Sequence, residues 1–163
     1  MKDLYNLYQQ AVQFNYKAGN KQYEYGTLDF WRALENQSSY MVEESNEGYS
    51  AARMNDAIES VDALADEFFV WAWKAEMLEK AGFDVAGAIQ AVIDNNMTKV
   101  FNSFYEACES KEKLEQKYDV EYFVETSVFN GLPFYTVRRL QDNKITKPVD
   151  FVPVNLEDYV PKE

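Results

Sequence analysis

Apolar positions at helical spacing predict four helices in the first 105 residues of the chain. The predicted helices cover residues 3–18, 28–54, 57–80 and 85–105. A polar stretch at 36–39 leaves two alternatives open for the second of them, either one continuous helix or a break between 28–40 and 41–54. The charged stretch 109–116 predicts the exposed end of the fourth helix or a linker.

From Tyr118 onward the pattern changes to alternating apolar and polar positions, which is typical of strands. Asn130-Gly131 separates two such runs and predicts a β-hairpin over 118–140. Pro133 confines the second strand to a sheet edge or delays its start. The fold class is therefore predicted as mainly α, with a helical domain at 1–108 and a C-terminal hairpin and extended tail at 109–163 packed on the same domain.

The third predicted helix is apolar on nearly every side. Its one polar stripe consists of Glu59, Asp62 and Asp66, and aromatic residues dominate the run 68–73. A helix of this kind is buried on several sides, and a single small chain has few neighbours to bury it. We therefore expect a homo-oligomer, either a homodimer or a tetramer.

Composition restricts the chemistry that the chain can perform. The 163 residues contain no His and a single Cys108, so zinc and haem ligation are not expected and any metal must be held by oxygen. The formal net charge of −12 disfavours direct nucleic-acid binding. No apolar run approaches the length of a membrane span, so we expect a cytoplasmic protein without a membrane partner.

Two acidic clusters occupy consecutive predicted helices. They consist of Glu43, Glu44 and Glu47 on one helix and Glu59, Asp62 and Asp66 on the next. Residues at these spacings share a helix face, and Arg53 is the only basic residue between Ala33 and Trp73. The plain alternative is a solvated helix face. The functional interpretation is an oxygen-ligand site for Mg²⁺, with Mn²⁺ as a substitute, at which Glu43 or Glu59 orients or deprotonates a water.

A second group of polar residues follows the acidic clusters. Asn96 offers an amide for a base or ribose, and Lys99 offers a positive charge for a phosphate. Lys144 and Lys147 in the tail add charge for the same purpose. The plain alternative for the segment around Asn96 is a polar turn with a solvated lysine.

At these residues the chain resembles the all-α nucleotide pyrophosphohydrolases, the MazG-like and phosphoribosyl-ATP pyrophosphohydrolase-like superfamily. The resemblance rests on an E-x-x-E motif, Glu44 to Glu47, and on an E-x-x-D-x-x-x-D motif, Glu59 to Asp66. It extends over about residues 8–105 and the segment after Asn143. Asn15 stands where one branch of the family often has His, and the hairpin at 118–140 departs from the family's short connection.

The resemblance implies a helical bundle that cleaves nucleoside triphosphates between the α- and β-phosphates, giving monophosphate and pyrophosphate. Magnesium would be bound by Glu44, Glu47, Asp62 and Asp66, and Asn96 and Lys99 would help to hold the nucleotide. Two rival hypotheses stay open. One is an acidic, non-catalytic protein that mimics a nucleic acid, and the other is a family member that binds nucleotides without hydrolysing them.

Overall fold

Five α-helices and a small antiparallel sheet form the part of the chain that the computed structural model describes, residues 3–162. Met1, Lys2 and Glu163, which the predicted domains include, lie outside the described residues. The elements are α1 (Leu4–Lys17), α2 (Leu28–Met54), α3 (Ala57–Lys80), α4 (Val85–Met97), β1 (Val100–Phe101), α5 (Phe104–Lys117), β2 (Tyr122–Phe129), β3 (Leu132–Arg139) and a short 3₁₀ helix (Glu157–Tyr159). The prediction of a mainly helical chain with a small C-terminal β-hairpin is confirmed.

The chain divides into two compact units. We call the first the helical unit; it comprises the chain up to Val85 and the residues from Glu157 onward. We call the second, Ala86–Leu156, the sheet unit. The end of the chain returns to the helical unit, where the Asp84 amide donates to the Tyr159 carbonyl at 3.0 Å. The division falls inside the range 1–108 that the sequence analysis assigns to one domain, and the packing of 109–163 on that domain stays a prediction.

Helices α2 and α3 form an antiparallel hairpin with a two-residue connection. Asn55 ends α2 in the left-handed conformation, with φ 56° and ψ 33°, and the Asp56 side chain caps α3 by accepting from two backbone amides at 3.1 Å. Helix α2 runs without interruption through 36–39, so the break considered for this stretch is absent. Ser38 donates to the Leu34 carbonyl at 2.8 Å, which satisfies its hydroxyl without interrupting the helix.

Gly48 and Ala63 meet across the hairpin. A Cβ atom built on Gly48 would lie 3.4 Å from the Ala63 Cβ, and Ala63 is buried. Gln37 donates to the Val70 carbonyl at 3.0 Å further along the hairpin. Small residues therefore set the separation of α2 and α3, and the acidic clusters lie on either side of this contact.

Helix α1 packs on the C-terminal half of α3 through aromatic rings. Phe14 meets Phe69 with ring centroids 5.3 Å apart, and Tyr16 meets Trp73 at 5.2 Å. The Glu76 carboxylate accepts hydrogen bonds from Tyr16 at 2.9 Å and from Tyr8 at 3.1 Å. Burial and the hydrogen bond to Glu76 raise the pKa of the Tyr8 hydroxyl well above its usual range.

The N-terminal half of α3 presents apolar side chains to solvent. Ile58 is 81% exposed, Val61 67% and Leu64 64%, whereas Trp73 and Met77 further along the helix are buried. The sequence predicts that α3 is buried on several sides. Within the helical unit, this holds only for the second half of the helix. Its first half contacts α2 at Ala63 and exposes an apolar face on another side.

In the sheet unit, the structure differs from the sequence-based prediction over residues 98–117. The predicted fourth helix ends at Met97 and not near residue 105, because Val100 and Phe101 form a strand that pairs with Thr136 and Tyr135. The stretch 109–116 is neither a linker nor the end of that helix. It belongs to α5, which Ser103 caps by accepting from the Glu106 amide at 3.5 Å. Pairing with a distant strand overrides the local helical pattern here.

The hairpin of β2 and β3 turns at Asn130-Gly131, as predicted, with φ values of 51° and 78°. The strand order is β1-β3-β2, so β3 is central and not an edge strand. Pro133 is tolerated because β1 pairs only with residues 135–136, so β3 has a partner on one side at the proline. Ala107, Leu114, Tyr122 and Val137 form the buried core beneath the sheet.

None of the helices in the described range combines the length and the apolar character that a membrane span needs.

Candidate functional site

The two acidic clusters lie on the α2–α3 hairpin, inside the helical unit. Glu44 precedes the connection at Asn55 by about three helical turns, and Asp66 follows it by about the same distance. An antiparallel pair therefore brings the clusters to the same level along the two helices. Glu44 is half-buried and the other carboxylates are exposed, namely Glu43, Glu47, Glu59, Asp62 and Asp66.

Glu44 is the electrostatic centre of the site. Burial raises the pKa of its carboxyl above the usual value, and the charges of nearby carboxylates raise that pKa further. These carboxylates are, in decreasing order of effect, Glu47, Asp66, Glu43 and Asp62. The structure thus places four of the other five predicted acidic residues, from both helices, within electrostatic range of Glu44.

Glu59 is the exception among the predicted acidic residues. It lies in the first turn of α3, where its backbone amide donates to Asp56, and it is not among the groups with the largest effects on the pKa of Glu44. Of the two candidates for the residue that handles the water, Glu43 is therefore the one that lies near the other carboxylates.

Among the described residues, no basic side chain forms an ion pair with the acidic clusters. Every ion pair within residues 3–162 involves carboxylates outside the two clusters. Arg53, the nearest basic residue in sequence, has its guanidinium 5.8 Å from the centroid of the Tyr49 ring. The charge of the site is thus left for solvent or for a bound cation to balance.

The donor set suits a hard divalent cation. Every donor is a carboxylate oxygen, the ligand type that Mg²⁺ and Mn²⁺ prefer. Within the described chain, in the side-chain conformations observed, no group of three or more acidic or thiol side chains is arranged to hold a metal ion. Glu43 and Glu47 border an open depression of about 490 Å³ on α2.

Sequence reasoning missed Glu67 as a neighbour of the site. Its carboxylate accepts a hydrogen bond from the Ser45 hydroxyl at 2.9 Å across the hairpin, and its Oε1 lies 4.0 Å from a Cβ built on Gly48. Glu67 therefore ties α3 to α2 beside the acidic clusters. The available signal was its position four residues after Ala63, on the face of α3 that meets α2.

The residues predicted to hold a substrate lie in the sheet unit. Lys99, Lys144 and Lys147 line one cavity of about 660 Å³. Asn96 is not among the residues that line it; its amide donates to the Val92 carbonyl at 2.8 Å and accepts from the Lys99 ammonium. The structure therefore brings the three lysines together, whereas both polar atoms of the Asn96 side chain are used within its own segment.

The resemblance to the nucleotide pyrophosphohydrolases rests on the acidic motifs and on their surroundings in the sequence. The repulsion of Glu44 by the neighbouring carboxylates of these motifs is a physical property of the site and does not depend on the resemblance. Comparison of the chain with protein-family models, with curated protein sequences and with solved structures found no match in any of the three.

Proposed function

We propose that the protein is a magnesium-dependent nucleoside triphosphate pyrophosphohydrolase, with an all-α pyrophosphohydrolase-like bundle as its catalytic part. The observation that carries the proposal is the position of Glu44, which is half-buried among carboxylates from two helices with no basic partner in the described chain. A divalent cation would remove this repulsion.

In this proposal Glu44, Glu47, Asp62 and Asp66 hold Mg²⁺. Bound magnesium would neutralise phosphate charge and polarise phosphoryl oxygens. Glu43, which neighbours the ligands without being one of them, accepts a proton from the attacking water, and Glu59 is the second candidate for this role. Asn96, Lys99, Lys144 and Lys147 are the residues proposed to bind the nucleotide.

The proposal includes assembly of two or more copies of the chain through α1 and the N-terminal half of α3. An apolar groove of about 660 Å³ lies there, and it is lined by Leu4, Leu7, Val61, Leu64 and Phe68 among others. Apolar surface of this kind is covered in a stable protein. A second copy of the chain fits it because the groove and the protruding side chains, such as Ile58, belong to the same face.

The test is pyrophosphate release from ribo- and deoxyribonucleoside triphosphates, with Mg²⁺ and with chelator. Wild-type protein is compared with Glu47→Gln and Asp66→Asn, and Glu35→Gln on α2 is the matched control. We expect magnesium-dependent release that falls by at least about 100-fold in the first two variants and is unchanged in the control.

Absence of release from any nucleotide, in protein that is folded, would overturn the hydrolase proposal. It would favour the alternative of an acidic binding protein. Binding of a nucleoside triphosphate without release would instead favour a degenerate homologue.

A further inference from the structure

A cavity in the sheet unit gathers basic side chains in an otherwise acidic protein. Its volume is about 660 Å³, and it is bounded by the end of α5, the connection to β2 and the tail after β3. The basic residues that line it are Lys99, Lys117, Arg139, Lys144 and Lys147. No acidic side chain of the described residues is part of its lining.

The lysines of this cavity have no carboxylate partners. Arg139 is paired, because its guanidinium donates to both oxygens of Asp142, one of them at 2.8 Å. Within residues 3–162, none of the four lysines has a carboxylate oxygen within 4.0 Å. Gathered ammonium groups repel one another, so an anion placed between them lowers the energy of the pocket.

Aromatic rings lie close to three of these four ammonium groups. The Lys147 ammonium lies 4.4 Å from the centroid of the Phe151 ring, and the Lys99 ammonium lies 5.9 Å from the same centroid. The Lys117 ammonium lies 5.3 Å from the centroid of the Tyr118 ring. The Lys99 ammonium also donates one hydrogen bond to Asn96. A ring face attracts the cation but accepts few of its hydrogen bonds, so the remaining ammonium N–H groups are available to a ligand.

The backbone of the tail is attached to the sheet, which fixes the cavity wall. The Thr146 amide donates to the Val137 carbonyl at 2.8 Å, and the Arg139 amide donates to the Lys144 carbonyl at 3.0 Å. Asn143 adopts φ 59° in the turn that the contact between Arg139 and Lys144 closes. Lys144 and Lys147 therefore project from a segment that is tied to β3 on both sides of Ile145.

We infer that this pocket binds a small polyphosphate ligand, with the phosphate groups among Lys99, Lys117, Lys144 and Lys147. Four ammonium groups match the charge of a triphosphate, and the cavity has the size of a small-molecule site. Lys117, Tyr118 and Phe151 are the new members of the site. The inference deepens the proposed function and rests on it for the nucleoside part of the ligand, whereas phosphate binding requires only this pocket.

The test is calorimetric titration of the full chain in chelator, so that the carboxylate site is without metal. The probes are inorganic triphosphate and a nucleoside triphosphate. Lys117→Gln and Lys147→Gln are compared with Lys113→Gln, a residue of α5 that pairs with Glu109 and does not line the cavity. We expect one binding event, weakened about tenfold by each of the first two changes and unchanged by the third.

No binding by the wild type, or equal losses in all three variants, would overturn the inference. If both probes bind equally, the pocket recognises the phosphate chain alone. Tighter binding of the nucleotide would indicate that its base also contacts the aromatic rings. Binding without pyrophosphate release would leave the pocket standing while the hydrolase proposal fails. Pyrophosphate release, together with binding that neither Lys117→Gln nor Lys147→Gln weakens, would support the hydrolase proposal and overturn the inference about the pocket.

Discussion

The helical unit carries 18 acidic and eight basic residues, and the sheet unit carries ten acidic and eight basic residues, so their formal charges are −10 and −2. Part of the excess in the helical unit lies around Glu44 on the α2–α3 hairpin. In the sheet unit, unpaired lysines gather in one cavity. Within residues 3–162, neither the acidic clusters of the helical unit nor the cavity lysines of the sheet unit form an ion pair, so each unit keeps a cluster of one sign.

The units also differ in how they use apolar residues. The sheet unit encloses a small core, in which Val137 is fully buried and Leu114 is 2% exposed. The helical unit buries Phe30 but leaves the first half of α3 uncovered. Both units therefore enclose buried residues, and the helical unit also has the apolar groove of α1 and α3 that the proposed assembly would cover.

The largest expected effect is the fall in stability when a buried side chain of either unit is truncated. Phe30→Ala should destabilise the protein by about 3–5 kcal/mol, and Leu114→Ala by about 2–5 kcal/mol, because each leaves a cavity among buried neighbours. Urea unfolding measures both. Tyr105→Ala is the control, since Tyr105 is 76% exposed and its loss should cost less than about 0.5 kcal/mol. An equal loss in the control would contradict this assignment of the cores.

The next effect tests the apolar surface of α3. Val61→Lys or Leu64→Lys should raise the dissociation constant of the assembly at least about tenfold, because a charge would enter the buried interface. Light scattering during size-exclusion chromatography measures the assembly. Val128→Lys is the control, because Val128 is 71% exposed in the sheet unit. A wild-type chain that is monomeric at all concentrations would refute assembly through this surface.

A smaller effect tests the close approach within the hairpin. Ala63→Leu should destabilise the protein by about 1–3 kcal/mol, because the larger side chain meets α2 at Gly48. It should also weaken Mg²⁺ binding by moving the acidic clusters apart. Thermal unfolding and metal titration measure the two effects, and Ala52→Leu, at an exposed position of α2, is the matched control. Unchanged metal affinity in the destabilised variant would show that the spacing of α2 and α3 does not control metal binding.

The smallest effect concerns Glu44 and pH. The pKa of Glu44 is higher in the folded than in the unfolded chain, so its contribution to stability is largest below its unfolded pKa and is lost as the pH rises through the folded pKa. In chelator, Glu44→Gln should therefore stabilise the protein at neutral pH by a few tenths of a kcal/mol, about the size of a like-charge pair on a helix. Denaturant unfolding at pH 4 and pH 7 measures it. Lower stability of the variant than of the wild type at pH 7 would contradict the prediction that neighbouring carboxylates repel Glu44.

Local signals in the sequence were sufficient for several elements. The limits of α3 follow from the Asp56 cap and the Gly82 stop, and the hairpin follows from Asn130-Gly131, because capping and turn formation depend on a few adjacent residues. The acidic face also follows from spacing alone, since residues three and four apart share a helix face.

Tertiary contacts decided the rest. Val100 and Phe101 became a strand because β3 offered them partners more than 30 residues away, which no local pattern reveals. Only the packing of α2 on α3 placed Glu44 among carboxylates of both helices, left Glu59 apart and brought in Glu67. Likewise, Lys117 and Phe151 are distant in sequence and line one cavity because the tail is tied to β3. The sequence by itself determined which side chains share an element, and the fold determined which elements meet.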